Sequence, residues 1–542
     1  MRRKKVGKFL MAMVIGVFLL AGYSNHKSAK TQKNITIMTQ GDLQSLDTTA
    51  VADIPMWDML TQTSEGLYRV DAHNKVVPAI AAKKVQPTNN GKSYTFKLRE
   101  NAKWNNGQQV TAKDFVTAWR RSLDPKATAG YSFIFAPIKN AREISAGQKS
   151  VQTLGATATD SKTLKIELTW AVPYFDKLLT LPIFFPQNTN YIKRYGSKYA
   201  TNSATFSSNG PFMIQGWKGN NKSWNLTKNK YYYGKKDIKL NKINVQVVQD
   251  SNTAYNLYKT KKLNVARVTG STAKGLHKDS DLKRNPIART YYISFNMSGK
   301  SPFRNLKVRQ ALNLALDRKR LTDNVISDGS KPAYTFAGKG LAIDPTTNKD
   351  FGSETSVSTK RDLTKAKKLW NEGIKEEGLG GKRVNISLVA YNEIITKQVT
   401  EYLQSVIEDN FLHTSVTVNN AIPKVWINKV NSGDFGINYV FWNPDYSDPM
   451  SNLENFTTGN PKNYGKYNDA YYNQQLDDER YKNANSPAKY WANMRNAEKR
   501  LNDTLPLIPI YNQTESYLVS PKLKGVAYHT VGQNDYTRAY LK

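Results

Sequence analysis

The sequence contains no cysteine among its 542 residues. That absence excludes disulfides, thiolate-bound zinc, iron–sulfur clusters and cysteine nucleophiles together. Histidine is scarce as well. The five are His26, His73, His277, His413 and His529, and no two have the spacing of a local metal motif. HExxH, GxSxG, EF-hand and GxGxxG patterns are missing. Gly270 and Gly275 share the spacing of a phosphate-binding loop, but Leu276 and His277 replace the Lys and Ser/Thr that grip phosphate. The segment therefore reads as a plain loop. Acidic residues are in deficit too, 43 against 79 Lys and Arg, for a net charge of +36. Such an excess calls for a polyanionic neighbour (nucleic acid, an anionic membrane or an anionic cell wall) and leaves the fold open.

Long apolar runs are lacking except at the N-terminus, which excludes a multi-span membrane protein. There Arg2, Arg3, Lys4, Lys5 and Lys8 precede an apolar stretch from Phe9 to Leu20, then Ala21 and Gly22. Residues 1–23 have the layout of a secretory signal peptide. The run is short for a spanning helix, which needs about 17–25 residues; a retained N-terminal anchor is the alternative. Leu20-Ala21-Gly22 matches the start of a bacterial lipobox, but Tyr23 stands where the lipid-accepting Cys belongs. A phenol cannot form that thioether, so lipidation is not expected. Residues 24–33 are polar and lysine-rich and read as a flexible tether. The expected location is the extracellular face of the cell membrane or the cell wall, without a lipid anchor.

What is present is core-forming material. Aromatic residues make up 11% of the chain, enough for several cores and about three domains. Alternation predicts strands at 34–38, at Tyr94-Phe96-Leu98, at Leu164-Ile166-Leu168-Trp170, at Ile243-Val245-Val247, at Val384-Ile386-Leu388, at Val416-Val418 and over Phe435–Phe441. Helical spacing appears in 54–68, in Phe115–Leu123 after a Thr111-x-x-Asp114 capping box, in Val308–Leu316, in Leu363–Trp370 with a stop at Gly373, and in Ile395–Ile407. Helix and strand alternate through 360–445, which suggests crossover units in an α/β protein.

Two segments invite a functional reading. Residues 228–242 place six lysines around Tyr231, Tyr232 and Tyr233, a mixture that suits single-stranded nucleic acid. Lysine is spread along the whole chain, however, and an exported protein rarely meets nucleic acid, so a solvated basic face is the preferred reading. Phe441-Trp442-Asn443-Pro444-Asp445 follows a predicted strand, the position at which α/β sheets bind ligands. Trp442 supplies flat apolar area there, and Asp445 suits an ammonium group. A Pro-Asp turn with a core Trp fits the same residues.

Several segments together resemble the oligopeptide-binding proteins of the bacterial extracellular solute-binding protein family 5, receptors of ABC importers. The strongest match is 98–125, LRENAKWNNGQQVTAKDFVTAWRRSLDP; Glu65-Gly66-Leu67, Ser208–Phe212, Phe303–Leu312 and Trp442–Asp445 follow in order. The resemblance implies an α/β, two-lobed periplasmic-binding-protein-like fold (type II, cluster C) with three domains and a hinge. Lobe I would comprise 34–66, 191–288 and 513–542, a small extra domain 67–190, and lobe II 289–512. It implies further that Asp445 receives a peptide α-amino group, and that Trp442, Tyr131, Trp426, Tyr511 and Ile54 line the cleft. Basic residues for a peptide carboxylate, expected between the two tryptophans, reduce to Lys429.

The implied function is capture of oligopeptides in a closing cleft and delivery to the permease subunits of an ABC transporter. No catalysis, cofactor or metal is expected, and the protein is expected to be a monomer. Anionic cell-wall polymers or the membrane surface are expected partners of its positive charge, and nucleic acid is not. The alternative is a wall-associated adhesion protein that retains the fold with altered ligand binding; a hydrolase is a third, unsupported by any motif.

Overall fold

The computed structural model describes residues 33–542 apart from 50–52, 128–129 and 394. The leader and nearly all of the tether lie outside the described residues. In chain order the strands that matter here are β1 (Asn34–Thr39), β2 (Ser93–Lys97), β3 (Ala156–Ala158), β4 (Thr163–Glu167), β5 (Phe212–Gln215), β6 (Ser223–Lys228) and β7 (Lys242–Val247). They continue with β8 (Val265–Val268), β9 (Leu282–Phe295), β10 (Val384–Tyr391), β11 (Thr414–Ala421), β12 (Ile437–Trp442) and β13 (Leu507–Val519). The main helices are α1 (Ile54–Thr63), α2 (Ala112–Leu123), α3 (Leu306–Ala315), α4 (Leu363–Glu376), α5 (Thr396–Asn410), α6 (Pro423–Ser432) and α7 (Pro487–Thr504).

One large mixed sheet runs in the order β11-β10-β12-β9-β13-β8-β1-β7-β6-β5, and β2, β4 and β3 form a separate small antiparallel sheet. β10 is parallel to both β11 and β12, so β10-α5-β11 is a crossover unit of the kind the 360–445 pattern predicts. β1 is likewise parallel to β7 and β8. The two longest strands, β9 and β13, form the antiparallel spine between these halves. Leu282–Pro286 pair with Thr514–Leu518 on the β8 side, and Thr290–Ser294 pair with Leu507–Asn512 on the β12 side. Between them the register shifts, and Ile287, Ala288 and Arg289 leave the ladder. The Ala288 N–H turns instead to the carbonyl of Thr530, 2.9 Å away.

The 98–125 signature is architectural. The Thr111 backbone N–H donates to Asp114 Oδ2 at 2.9 Å, which starts α2. The same carboxylate accepts from the indole of buried Trp104 and, through Oδ1, from the backbone and hydroxyl of Thr189. Buried Trp119 donates to the Phe184 carbonyl at 3.0 Å. A second pair of matched segments meets in space. The Glu65 N–H donates to Asn209 Oδ1 at 3.0 Å, and Asn209 Nδ2 returns a bond to the Glu65 carbonyl at 2.9 Å. The loop that carries Asn209 lies against the end of α1 through the Gly210 N–H, bonded to the Thr63 carbonyl.

Three expectations change. α4 runs through Gly373 to Glu376, because this glycine is a contact rather than a stop: a Cβ there would lie 2.7 Å from Val308 Cγ2 on α3. Residues Gly270–Gly275 are a short helix, not a loop. The helix predicted in 54–68 ends at Thr63, and the chain is extended again from Tyr68.

At Gly210 an added Cβ would fall 2.6 Å from the backbone of Thr63 and Ser64, whereas Gly275 has no neighbour within 4 Å. Gly210→Ala is therefore expected to lower unfolding free energy by about 2 kcal/mol or more, and Gly275→Ala to change it by less than about 0.5 kcal/mol. Chemical denaturation of both variants checks this; equal effects would remove the role assigned to the Asn209 loop.

Candidate ligand-binding site

The segment after β12 turns away from the sheet at Asn443 and carries Asp445 to a cavity wall. Its geometry is set from three sides. The Asp445 N–H donates to Ser451 Oγ at 2.9 Å, and the Trp442 indole donates to the Ser451 carbonyl at 2.8 Å, so one serine fixes both residues. Tyr174 stacks on Tyr446 at 5.0 Å between centroids. Lys177 Nζ donates to Asp448 Oδ2 at 3.0 Å and to the Ser447 carbonyl at 2.8 Å. Asp448 is thus neutralised by a lysine, while Asp445 forms no ion pair among the described residues.

Tyr131 supplies Asp445's side-chain hydrogen bond, its hydroxyl donating to Oδ1 at 3.3 Å. The ring of Tyr131 leans on Trp57 at 5.5 Å and on Phe133 at 5.4 Å. Burial, reinforced by the charge of Glu454, pushes the Asp445 carboxyl up to about 7; the Tyr131 bond and Lys462 offset this only in part. Burial and Asp445 in turn raise the Tyr131 phenol, which stays protonated as a donor.

Two adjoining cavities meet here. One of about 130 Å³ is bordered by Trp57, Asp445, Ser447 and Gln533. The other, about 300 Å³, is bordered by Ile54, Asn443, Arg267, Arg289, Glu515 and Gln533. Gly532 and Gln533 border both. The larger lies within the range of small-ligand pockets, about 300–1,000 Å³. It faces the break in the β9–β13 ladder.

The residues singled out from sequence fall into distinct places. Asp445 and Tyr131 come together directly, and Trp442 packs beside them against the core. Ile54 begins α1 and, 46% exposed, sits on the rim of the larger cavity. Trp426 lies on α6, half-buried, its indole bonded to Asn438 Oδ1 at 3.0 Å and its ring edge-on to Tyr391 and Tyr464; it borders neither cavity. Tyr511 is only 1% exposed. It stacks on Tyr291 at 4.4 Å and bonds the Tyr439 hydroxyl, so it lies in the core beneath the cleft floor. Its place near the middle of β13 explains this, since that stretch of strand is buried on both sides. Lys429 is paired with Asp434 at 2.5 Å.

Tyr232 and Tyr233 are tied to the interior rather than free as a stacking platform. Tyr232 and Tyr233 donate to the two oxygens of buried Glu65 at 2.6 and 2.8 Å, and Arg69 completes that site. Sequence reasoning missed Trp57, Arg267, Arg289 and Glu515. No local pattern marks them; they converge from four separate segments. Among the described residues no group of three or more His, Cys, Asp or Glu side chains is arranged to hold a metal ion.

A carboxyl raised in the folded state incurs its penalty only when ionised. That penalty is absent at low pH, where both states are protonated, and complete above a folded value of about 7. Asp445→Asn is expected to raise the melting temperature at about pH 8 and to leave it nearly unchanged at about pH 3, below the unfolded value of 3.8. Calorimetry at both values checks this, and an equal rise at both would show that the charge is not the cause.

Comparison with known proteins agrees with this architecture. Residues 75–464 match the family model described as bacterial extracellular solute-binding proteins, family 5 Middle. A dipeptide-binding protein of Lactococcus lactis is 32% identical, with 99% of each chain covered. Among solved structures, Listeria monocytogenes OppA bound to peptide aligns with a TM-score of 0.80 at 33% identity, covering 94% of this chain and 99% of that one. The substrate-binding domain of an oligopeptide ABC transporter from Bacillus anthracis gives 0.81 at 36% identity, covering 94% and 99%. The chain belongs to the bacterial extracellular solute-binding proteins of family 5.

Proposed function

We propose that this protein is an exported receptor that captures peptides in the cleft beside Asp445 and passes them to an ABC importer, without catalysing a reaction on them. The observation that carries the reading is the state of Asp445. A carboxylate at a cavity wall that accepts from Tyr131, on a residue whose backbone N–H is fixed to Ser451, raised by burial and forming no ion pair among the described residues, is built to accept a cation from outside. A peptide's α-ammonium group supplies that charge. Trp442 and Tyr131 flank it and Ile54 lies along the path; Trp426, which borders neither cavity, is proposed as a contact outside them. Tyr511 acts from beneath by holding Tyr291 and Tyr439. Relatives named as dipeptide- and oligopeptide-binding proteins, and a relative solved with peptide bound, support this assignment.

The hinge is assigned to β9 and β13, where the ladder breaks at 287–289, with the lobes and extra domain divided as the sequence suggests. A monomer is proposed. No helix among the described residues is long and apolar enough to cross a membrane. Wall polymers are proposed as the partner of the basic surface. Burial and then Lys239, Lys33 and Lys235 depress Lys228, which marks a patch of crowded positive charge suited to polyanions.

Native mass spectrometry of the purified protein is the first test. Co-purifying masses that resolve into peptides on denaturation are the expected result. An empty protein that also ignores an added peptide pool would sink the reading. Asp445→Ala is expected to weaken peptides with a free amino terminus about 10- to 100-fold and to leave N-acetylated ones nearly unchanged. Wild-type affinity for free-amine peptides should fall as pH drops through about 7, where Asp445 takes up a proton. Isothermal titration from about pH 5 to 8 checks the sign. Release of the protein from intact cells by high salt is expected for electrostatic wall contact; retention would point to an anchor.

A further inference from the structure

Segment 67–190 meets lobe II in a run of contacts that amine recognition by Asp445 does not by itself require. In the division proposed above, this segment joins the rest of the chain only at residues 66 and 191, both on lobe I. Lobe II joins lobe I only through β9 and β13. No direct chain connection therefore runs between 67–190 and 443–490, yet side chains bridge them. Beside the smaller cavity, Lys177 Nζ donates to Asp448 Oδ2 at 3.0 Å and to the Ser447 carbonyl at 2.8 Å. There Tyr174 stacks on Tyr446 at 5.0 Å, with 12° between the rings. A second group of contacts borders neither cavity. Arg142 from one side and Arg480 from the other lie over the Trp170 ring, at 4.6 and 5.7 Å. Asn485 Nδ2 donates to the Asn90 carbonyl at 3.0 Å.

The lysine contact is the one best placed to hold the two parts together. The Asp448 side chain is 2% exposed, and it also accepts from the Tyr490 hydroxyl and from the Met450 N–H at 3.1 Å. A carboxylate so enclosed is costly without its cation, and that cation comes from across the gap. Lys177 thus grips the turn 445–450 at the residue after Ser447, three positions from Asp445. The contact also carries a cost. Burial pushes the Glu454 carboxyl up to about 7; Arg480, Tyr446 and, from the facing segment, Arg142 offset only part of this. Gains and costs of similar kind suit a contact that forms and parts.

We propose that these contacts are a latch between segment 67–190 and lobe II, and that Lys177 is its positioning residue, holding the turn that carries Asp445. Rotation about the break in the β9–β13 ladder leaves both chain connections of lobe II intact, so the latch is what parts when the lobes separate. The amine site is then complete only in the latched state, because Tyr131, which bonds Asp445, belongs to the same segment as Lys177. A bound peptide adds its own contacts to the latch and shifts the protein toward that state. The inference rests on the peptide reading above and adds to it the device that keeps the cleft shut.

The test measures a distance across the latch in the full-length protein. The chain has no cysteine, so Thr157→Cys and Lys489→Cys, both at exposed positions, carry the only two spin labels. Pulsed electron resonance then reads their separation in protein stripped of peptide and with a tryptic digest of casein added. With Lys177 and Asp448 intact, two separations are expected without the digest and the shorter alone with it. Lys177→Met should leave the longer separation dominant without the digest and demand about 10-fold more digest for half-closure. Asp448→Asn should act alike, and the two substitutions together should shift the balance no further than either alone. Separations in Lys177→Met that match those of the parent, or effects of the two substitutions that simply add, would overturn the latch. So would an unchanged separation in the parent while native mass spectrometry shows digest peptides bound; the peptide reading would then stand. An unchanged separation with no peptide bound would overturn both.

Discussion

The antiparallel pairing of β9 with β13 is the constraint on which the rest of this molecule depends. β9 pairs with β12 on one side of the spine, β13 pairs with β8 on the other, and their pairing with each other joins the two halves of the sheet. Several residues of the ligand region are placed by reference to it. β12 is laid on β9 and delivers Trp442 and Asp445; β8 is laid on β13 and delivers Arg267 beside Glu515. The register shift between Pro286 and Thr290 is equally consequential, because residues that leave a ladder are free to point into a cavity. Arg289 does so.

Buried charge separates the architectural parts from the cleft. Glu65, Asp114 and Glu498 each receive several hydrogen bonds from hydroxyls, backbone amides, an indole or an arginine, and Asp448 is paired with Lys177. These groups hold segments together. Asp445 and Asp58 lack such a complement and are raised to about 7, and Arg289 Nε has no hydrogen-bond partner among the described residues. All three border the two adjoining cavities.

Much of the secondary structure was legible because burial imposes a period. Strands over Val384–Tyr391, Thr414–Ala421 and Ile437–Trp442 alternate, and α2 announces itself through Thr111 and Asp114. The long spine strands and α7 were not read. β9 has an almost continuous buried run from Ile287 to Phe295 and shows no alternation. α6 escaped notice because only Val430 on it is buried, which leaves no apolar stripe to count. Gly373 was misleading because a small residue has a local meaning and a packing meaning, and here Val308 decided for packing.

The sequence by itself determined the class of fold, the family, and Asp445 as the residue to watch, since each of these rests on neighbours in the chain or on a short motif. Tertiary structure alone decided what surrounds that residue. Tyr131 reaches Asp445 across 314 positions, and Arg267 meets Glu515 only because β8 is paired to β13. It also decided that Tyr511 is floor rather than wall. Hydrogen bonds and ion pairs act over a few ångströms, and no local pattern records which distant residues a sheet will bring within that range.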